Sequence, residues 1–338
     1  MPEILRSLFP LILMVSSLCK GVAQNPSTQD FDGLVTTAID LSEQALFEAK
    51  FGEALAYLDT LYFGKFDSFE ADLQVQVCLQ RQRVSGFRNL LFQVKNNREE
   101  TLAELLSYKP YENTFESSVK ASYFLSLSSA YRSVGKLDAS KHFGEKAMTM
   151  YTELKDLKKI SEIRANEISR RHNALLREGK KQEILAMIPA YKEEIAFSTE
   201  HSKYALAYNT RHLGQIHRRQ TGDLEEALSL FQQSLELRKE IGFKPFIPAS
   251  YSSVGDVYLA MKNYEKSIEA YQKSSELAEE IGFTRYQLYP NMQIGNIYFE
   301  QRDKAKAKIF FQKALDNARQ NNHEQGMLEA KRKLELLR

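Results

Sequence analysis

The sequence predicts an all-α fold, a superhelical solenoid of stacked helix hairpins, and three observations carry the prediction. Three stretches repeat one another: Tyr208–Phe243, Ala249–Phe283 and Tyr289–Arg319, with anchor glycines Gly214, Gly255 and Gly295 spaced 41 and 40 residues apart. A period of this size means small units stacked along one direction. Apolar residues recur at spacings of three and four from about residue 34 to the C-terminus, the spacing of a buried helical face. Gly and Pro fall mainly where one such stretch gives way to the next.

Taken in order, residues 1–23 read as an export signal. Arg6 supplies a positive start, and Leu8 to Leu18 is an apolar run of 11 residues, short for a bilayer span. Gly21-Val22-Ala23 offers small residues before a mature start at Gln24. A retained membrane anchor and a lipidated Cys19 are the alternatives; Leu18, before that cysteine, is large for a lipoprotein signal. Residues 24–33 are polar and contain Pro26, a flexible lead-in. The solenoid then occupies 34–338 as about seven helix pairs. The pattern is clearest at 122–151, 208–243, 249–283 and 289–319, and weaker near 70–106 and 161–200, where Pro189 interrupts the second helix. Residues 324–337 form a terminal capping helix, with Met327, Leu328, Leu334 and Leu337 as its apolar side.

Within each clear unit the first helix carries a small residue and, three positions on, a ring: Gly214/His217, Gly255/Tyr258 and Gly295/Tyr298. The small residue admits the second helix closely and the ring lies on the same face. A short turn follows, at Thr221-Gly222-Asp223, Lys262-Asn263 and Arg302-Asp303. The second helix carries one stripe of small, large and small residues: Ala227/Phe231/Ser234, Ser267/Tyr271/Ser274 and Ala307/Phe311/Ala314. Gly242 and Gly282 suit left-handed C-caps, and Pro245, Pro248 and Pro290 mark the next helix start. These motifs resemble the tetratricopeptide repeat in a long-period form, strongly over 208–319 and again at 122–151 and 34–63. The resemblance implies a concave face lined by first helices that binds peptides, proteins and occasionally small ligands.

Composition limits the alternatives. The mature chain is close to neutral: the full sequence carries +2 and the 1–23 segment +1, leaving +1, which gives no electrostatic case for nucleic acid. After signal cleavage no segment is apolar enough to span a membrane. Cys78 is the single cysteine of residues 24–338, which excludes an internal disulfide. Its apolar helical setting reads as a buried small hydrophobe rather than a reactive thiol. With no usable glycosylation sequon, these features favour a bacterial envelope protein over a eukaryotic secreted one, and the expected location is periplasmic or envelope-associated rather than lipid-anchored or secreted.

No phosphate loop, nucleophile elbow or paired metal-ligand motif occurs, so neither an enzyme nor a cofactor is expected. His212 and His217 are five residues apart, on different helical faces, and His172 and His217 take the ring position held elsewhere by tyrosine, a packing role. The groove positions that the repeat register implies are three before, one after and four after the anchor. They place Arg132, Arg170, Arg211, Gln215, Arg218, Asp256 and Asn296 on the binding face, together with Leu125, Ser129, Asn166, Asn173, Ser252, Leu259, Met292 and Phe299. Arginine forks suit carboxylates, so the middle of the groove is expected to favour an acidic or C-terminal peptide segment. Pairing of these arginines with neighbouring acids is the alternative. Asp256 would repel a carboxylate. The expected role is a non-catalytic extracytoplasmic scaffold; a sensory domain working with a membrane-bound signalling partner is the other reading.

Overall fold

The computed structural model describes residues 28–62, 70–92 and 97–337, so the export signal expected over 1–23 lies outside the described residues. The helices are α1 (Thr28–Phe47), α2 (Phe51–Tyr62), α3 (Ala71–Phe92), α4 (Arg98–Ser107), α5 (Ser117–Ser133), α6 (Leu137–Glu153), α7 (Leu157–Arg177), α8 (Lys181–Leu185) and α9 (Ile188–His201). They continue as α10 (Lys203–Ile216), α11 (Leu224–Ile241), α12 (Ile247–Ala260), α13 (Tyr264–Glu280), α14 (Leu288–Glu300), α15 (Lys304–Gln320) and α16 (Glu324–Glu335). No strand occurs among the described residues. The fold is an all-α solenoid of helix hairpins, as the period predicts. The chain divides into two compact units, residues 1–160 and 161–338. Helix α1 starts at Thr28, so the polar lead-in expected through residue 33 is helical from that point.

Local chemistry sets the helix ends in the second unit. Side chains of Ser202, Asp223, Asn263 and Asp303 accept from the backbone N–H three residues on, at the starts of α10, α11, α13 and α15. Each satisfies one of the orphan donors of a first turn. Gly242, at φ +75°, ends α11 in the left-handed region that glycine enters without a Cβ penalty. Pro189 sits in the first turn of α9, so the break it imposes splits the second helix of the fourth pair into α8 and α9.

The hairpins close over the anchor glycines. A Cβ on Gly255 would lie 2.9 Å from the Tyr271 ring, and one on Gly295 2.6 Å from the Phe311 ring. Both rings are fully buried, and the small residues beside them, Ser267, Ser274, Ala307 and Ala314, are equally buried. The buried serines bond across the hairpin: Ser267 Oγ donates to the Gly255 carbonyl at 2.9 Å and Ser274 Oγ to the Pro248 carbonyl at 2.8 Å. Each burial of a hydroxyl is thereby compensated.

The α5–α6 hairpin, in the first unit, solves the same problem in reverse. Ser128 stands at the anchor and Gly144 at the place of the large ring, and a Cβ on Gly144 would meet Ser128 Oγ at 3.1 Å. Ser128 Oγ donates to the Ser140 carbonyl at 2.6 Å, and Phe143 stacks on Tyr131 at 5.5 Å. At the C-terminus, Gly326 and Ala330 are the buried residues of α16. Met327, Leu334 and Leu337 pack on the last core cluster, whereas Leu328, expected on that side, is 70% exposed. It lies on the flank of the helix turned from α15.

Candidate functional site

In the second unit, side chains link each first helix to the next. From α7 to α10, Ser169 Oγ donates to Tyr208 Oη at 3.4 Å and the rings of His172 and His212 stand 5.5 Å apart. From the end of α10 to α12, Arg218 pairs with Asp256 at 3.0 Å. From α12 to α14, Tyr289 Oη donates to Asp256 at 2.7 Å. These contacts join successive first helices, and those made by Arg218 and Asp256 lie at positions that the repeat register assigns to binding.

The expected groove residues fall into three groups on this geometry. Arg132, in the first unit, and Arg170, in the second, are exposed, the latter 3.8 Å from Glu167. Arg211, Gln215 and Asn296 are half-buried. Arg218 and Asp256, expected to act on a ligand with opposite signs, neutralise each other instead. Asp256 also accepts from Tyr271 Oη at 2.8 Å, which makes it the centre of a polar cluster joining successive units rather than a repulsive wall. The spacing along the chain hides this pair because its members belong to different repeats. Met292, three before its anchor, is buried in the last core cluster and does not reach the face, because α14 turns that position toward α15.

Sequence reasoning missed the environment of Arg211. Among the described residues it makes no hydrogen bond and no ion pair. The charges it feels are those of Tyr208 and Tyr286, then of Arg219 and Arg218; burial first, opposed by the two phenols, holds its pKa below the usual arginine value. Arg238, from the last turn of α11, is 6% exposed. Its Nη1 donates to Ser250 Oγ at 2.6 Å and to the Phe246 carbonyl at 3.3 Å, and its guanidinium lies over the Phe246 ring at 5.4 Å. Burial, and next the charge of Arg211, pull its pKa down to about 9, so it stays charged at neutral pH. No carboxylate pairs with Arg211 or Arg238 among the described residues. A basic residue in a last helical turn ordinarily reads as a solvated partner of the helix dipole, so no sequence signal marks Arg238.

Behind this face lies a buried polar core. His172 is fully buried, with Nδ1 3.2 Å from Tyr191 Oη. Burial, then the charges of Arg219 and Arg211, lower its pKa to about 4. Burial and Arg211 likewise push His212 well below the ordinary histidine range. Both imidazoles are therefore neutral at pH 7, and His172 serves packing, as expected. His172 Nε2, His212 Nδ1 and Asn209 Oδ1 are buried without a hydrogen-bond partner. Among the described residues no group of three or more His, Cys, Asp or Glu could hold a metal ion.

The first unit carries a cleft of about 660 Å³ between α3 and α5, lined by Gln76, Gln80, Ser122, Leu125, Ser126 and Ser129 among others. Leu125 and Ser129, two expected groove positions, thus do face open space. Arg83 and Gln80 of α3 both bond to Glu43 of α1, which ties the first helices of this unit together as in the second. Cys78 is buried, and burial pushes its thiol far above the usual range, so it is an unreactive packing group. No described helix is long and apolar enough to cross a membrane.

The tetratricopeptide repeat family model matches residues 203–280 and 246–320. No curated protein matches the chain. Among solved structures, the chain is similar to a signal transduction ATPase with numerous domains, with a tetratricopeptide repeat sensor, from Pyrococcus horikoshii. That likeness has a TM-score of 0.63 at 14% identity and covers all of this chain, which spans half the length of the other. A Rap protein complexed with competence and sporulation factor is similar at a TM-score of 0.54 and 12% identity, covering 88% of this chain and 80% of that one. The apo form of RapI is similar at 0.55 and 13%, with the same coverage. At such identities the likeness speaks for the fold. The segment 203–320, which the tetratricopeptide repeat model matches, carries the glycine-to-ring hairpin contacts described above, and the fold of the chain is similar to that of tetratricopeptide-repeat structures.

Proposed function

We propose that this protein is a non-catalytic scaffold that binds a peptide or a segment of a partner protein along its first-helix face, outside the cytoplasm. The observation that carries this reading is the face itself: first helices cross-linked by side chains, with half-buried Arg211, Gln215 and Asn296 on it. A surface already ordered before binding reduces the entropy lost on association. The similar Rap protein is complexed with competence and sporulation factor, so a related fold is known with a bound ligand. An acidic segment suits Arg211, since Arg218 is already neutralised by Asp256.

The test is capture with the full chain as bait, beside an Arg211→Glu bait of equal thermal stability. A partner segment retained by the first and lost by the second supports the reading; equal retention places binding elsewhere on the molecule. Residues 1–23 fused to a reporter that is active only outside the cytoplasm test the location, and an inactive fusion refutes export. A second reading, an input domain of a signalling assembly, is favoured by the similar sensor of the ATPase. Its mark would be a captured partner that is itself a membrane-bound regulator.

A further inference from the structure

We propose that the cleft between α3 and α5, in the first unit, is a binding site for a neutral carbohydrate. This goes beyond the peptide reading above and does not depend on it.

The cleft has the size of a ligand site and holds hydrogen-bonding groups that the chain leaves unused. Its volume of about 660 Å³ falls within the range of about 300–1,000 Å³ typical of small-molecule pockets. Two helix faces meet across it. Gln76 and Gln80 stand one turn apart on α3, and Ser118, Ser122, Ser126 and Ser129 follow one another along α5 at helical spacing. Gln80 is 8% exposed; its amide nitrogen donates to Glu43 at 3.1 Å, while its carbonyl oxygen accepts from no described residue. An acceptor so buried has little water to bond, and a donor from a ligand completes it. Gln76 is arranged alike, its nitrogen donating to Asp72 at 2.9 Å and its oxygen left open. Carboxylates only accept, so in both residues the nitrogen must face the acid and the oxygen the other way. Ser122 turns back to the Ser118 carbonyl at 3.0 Å and meets Tyr151 Oη at 2.9 Å. The hydroxyls of Ser118, Ser126 and Ser129 make no hydrogen bond among the described residues.

The unused groups set the chemistry of the ligand. No carboxylate lines the cleft among the described residues. Of its basic side chains, Arg83 is paired with Glu43, and Lys159 also interacts within the chain. A charged ligand would leave water for walls without a free counter-charge, which is costly. What remains are carbonyl oxygens, which need a donor, and hydroxyls, which both donate and accept. The amide nitrogens are spent on Asp72, on Glu43 and, for Gln82, on Glu104 at 3.2 Å. A peptide backbone displays as many carbonyls as N–H groups and would find few donors here. Sugar hydroxyls instead donate to the glutamine oxygens and exchange bonds with the serines. Leu79 and Leu125, which line the same cleft, meet the C–H surface of a sugar ring.

The test titrates the full chain by calorimetry with glucose, galactose, N-acetylglucosamine, maltose and cellobiose, beside glucuronate as an anionic analogue. At least one neutral sugar should bind at least tenfold more tightly than glucuronate. In Ser126→Ala/Ser129→Ala that affinity should fall at least tenfold while the melting temperature stays the same or rises, because the lost hydroxyls have no partner in the chain and alanine is the better helix former. Retention of the protein on amylose or cellulose resin marks a glycan chain as the source; binding of a free sugar without such retention marks a soluble one. Absence of binding by every sugar, equal binding of glucuronate, or an unchanged affinity in the double variant overturns the proposal. So does a drop of several degrees in the melting temperature of that variant, since the hydroxyls would then be serving the fold. Neutral acetylated and amidated peptides that bind in place of the sugars, and no longer bind the double variant, would make the cleft a peptide site and overturn the proposal as well.

Discussion

Replacing Gly295 by alanine tests the packing on which the hairpins depend. The new Cβ would stand 2.6 Å from Cδ1 and Cε1 of Phe311, against a carbon–carbon optimum of about 3.5–4.0 Å. Phe311 is fully buried, so its ring has no solvent-side rotamer to escape into, and α14 and α15 must spread. Overpacking of this kind costs about 1–3 kcal/mol. Alanine in place of a helical glycine returns about 1 kcal/mol. The net loss is up to about 2 kcal/mol, or up to roughly 8 °C in melting temperature for a unit of this size. At Gly214 the nearest atoms are Leu230 Cβ at 3.2 Å and Phe231 Cε1 at 3.3 Å, so a shift of a few tenths of an ångström suffices and the two terms nearly cancel. Gly255→Ala, 2.9 Å from Tyr271, falls between them. Thermal and urea unfolding of the three variants should therefore rank Gly295→Ala lowest and Gly214→Ala near wild type. Phe311→Leu should cost less in the Gly295→Ala background than alone. An equal effect at all three glycines, or a Gly295→Ala variant more stable than wild type, would refute the argument.

Acid should unfold the second unit early. His172 is held near 4 in the folded state and titrates near 6.5 when unfolded, so its contribution is intact above about pH 6.5 and is lost as the pH falls toward 4. The full loss is about 3 kcal/mol for His172, with His212 acting in the same direction. Tyr191, His212, Arg211 and Arg219 surround His172, and none is an anion that would favour its charged form. The urea midpoint followed from pH 7 to 4 should fall less steeply in His172→Phe than in wild type. Asp256→Ala leaves Arg218, Tyr271 and Tyr289 without their common acceptor and should lower stability by about 2–4 kcal/mol, measured by urea unfolding. Asp303→Ala removes the N-cap of α15 and should cost about 1 kcal/mol, while Asp303→Asn should cost less.

The repeats were legible because their signals are local. A cap such as Asp223 acts three residues ahead, a left-handed glycine acts at its own peptide, and a buried stripe recurs at helical spacing. The same logic located the break at Pro189 and the packing role of His172. It failed at Leu328, where an apolar residue is simply exposed, and at Met292, where the orientation of α14 overrides the expected register. It also gave no sign that Gly144 replaces a ring because Ser128 occupies the anchor, since the exchange is visible only once α5 and α6 lie together.

The candidate site was legible in part. Arg211 was found by counting from an anchor glycine, because position on a first helix is periodic. Its lack of an ion pair among the described residues, the pairing of Arg218 with Asp256, and the burial of Arg238 were not, because each depends on which side chains meet from different repeats. The sequence by itself determined the helices, their ends, the repeat period and the stripe that each helix buries, all of which act within a few residues of one chain segment. Tertiary structure alone decided which charges cancel and which are left over. Electrostatic energy depends on distance in space and on access to water, and neither follows from separation along the chain.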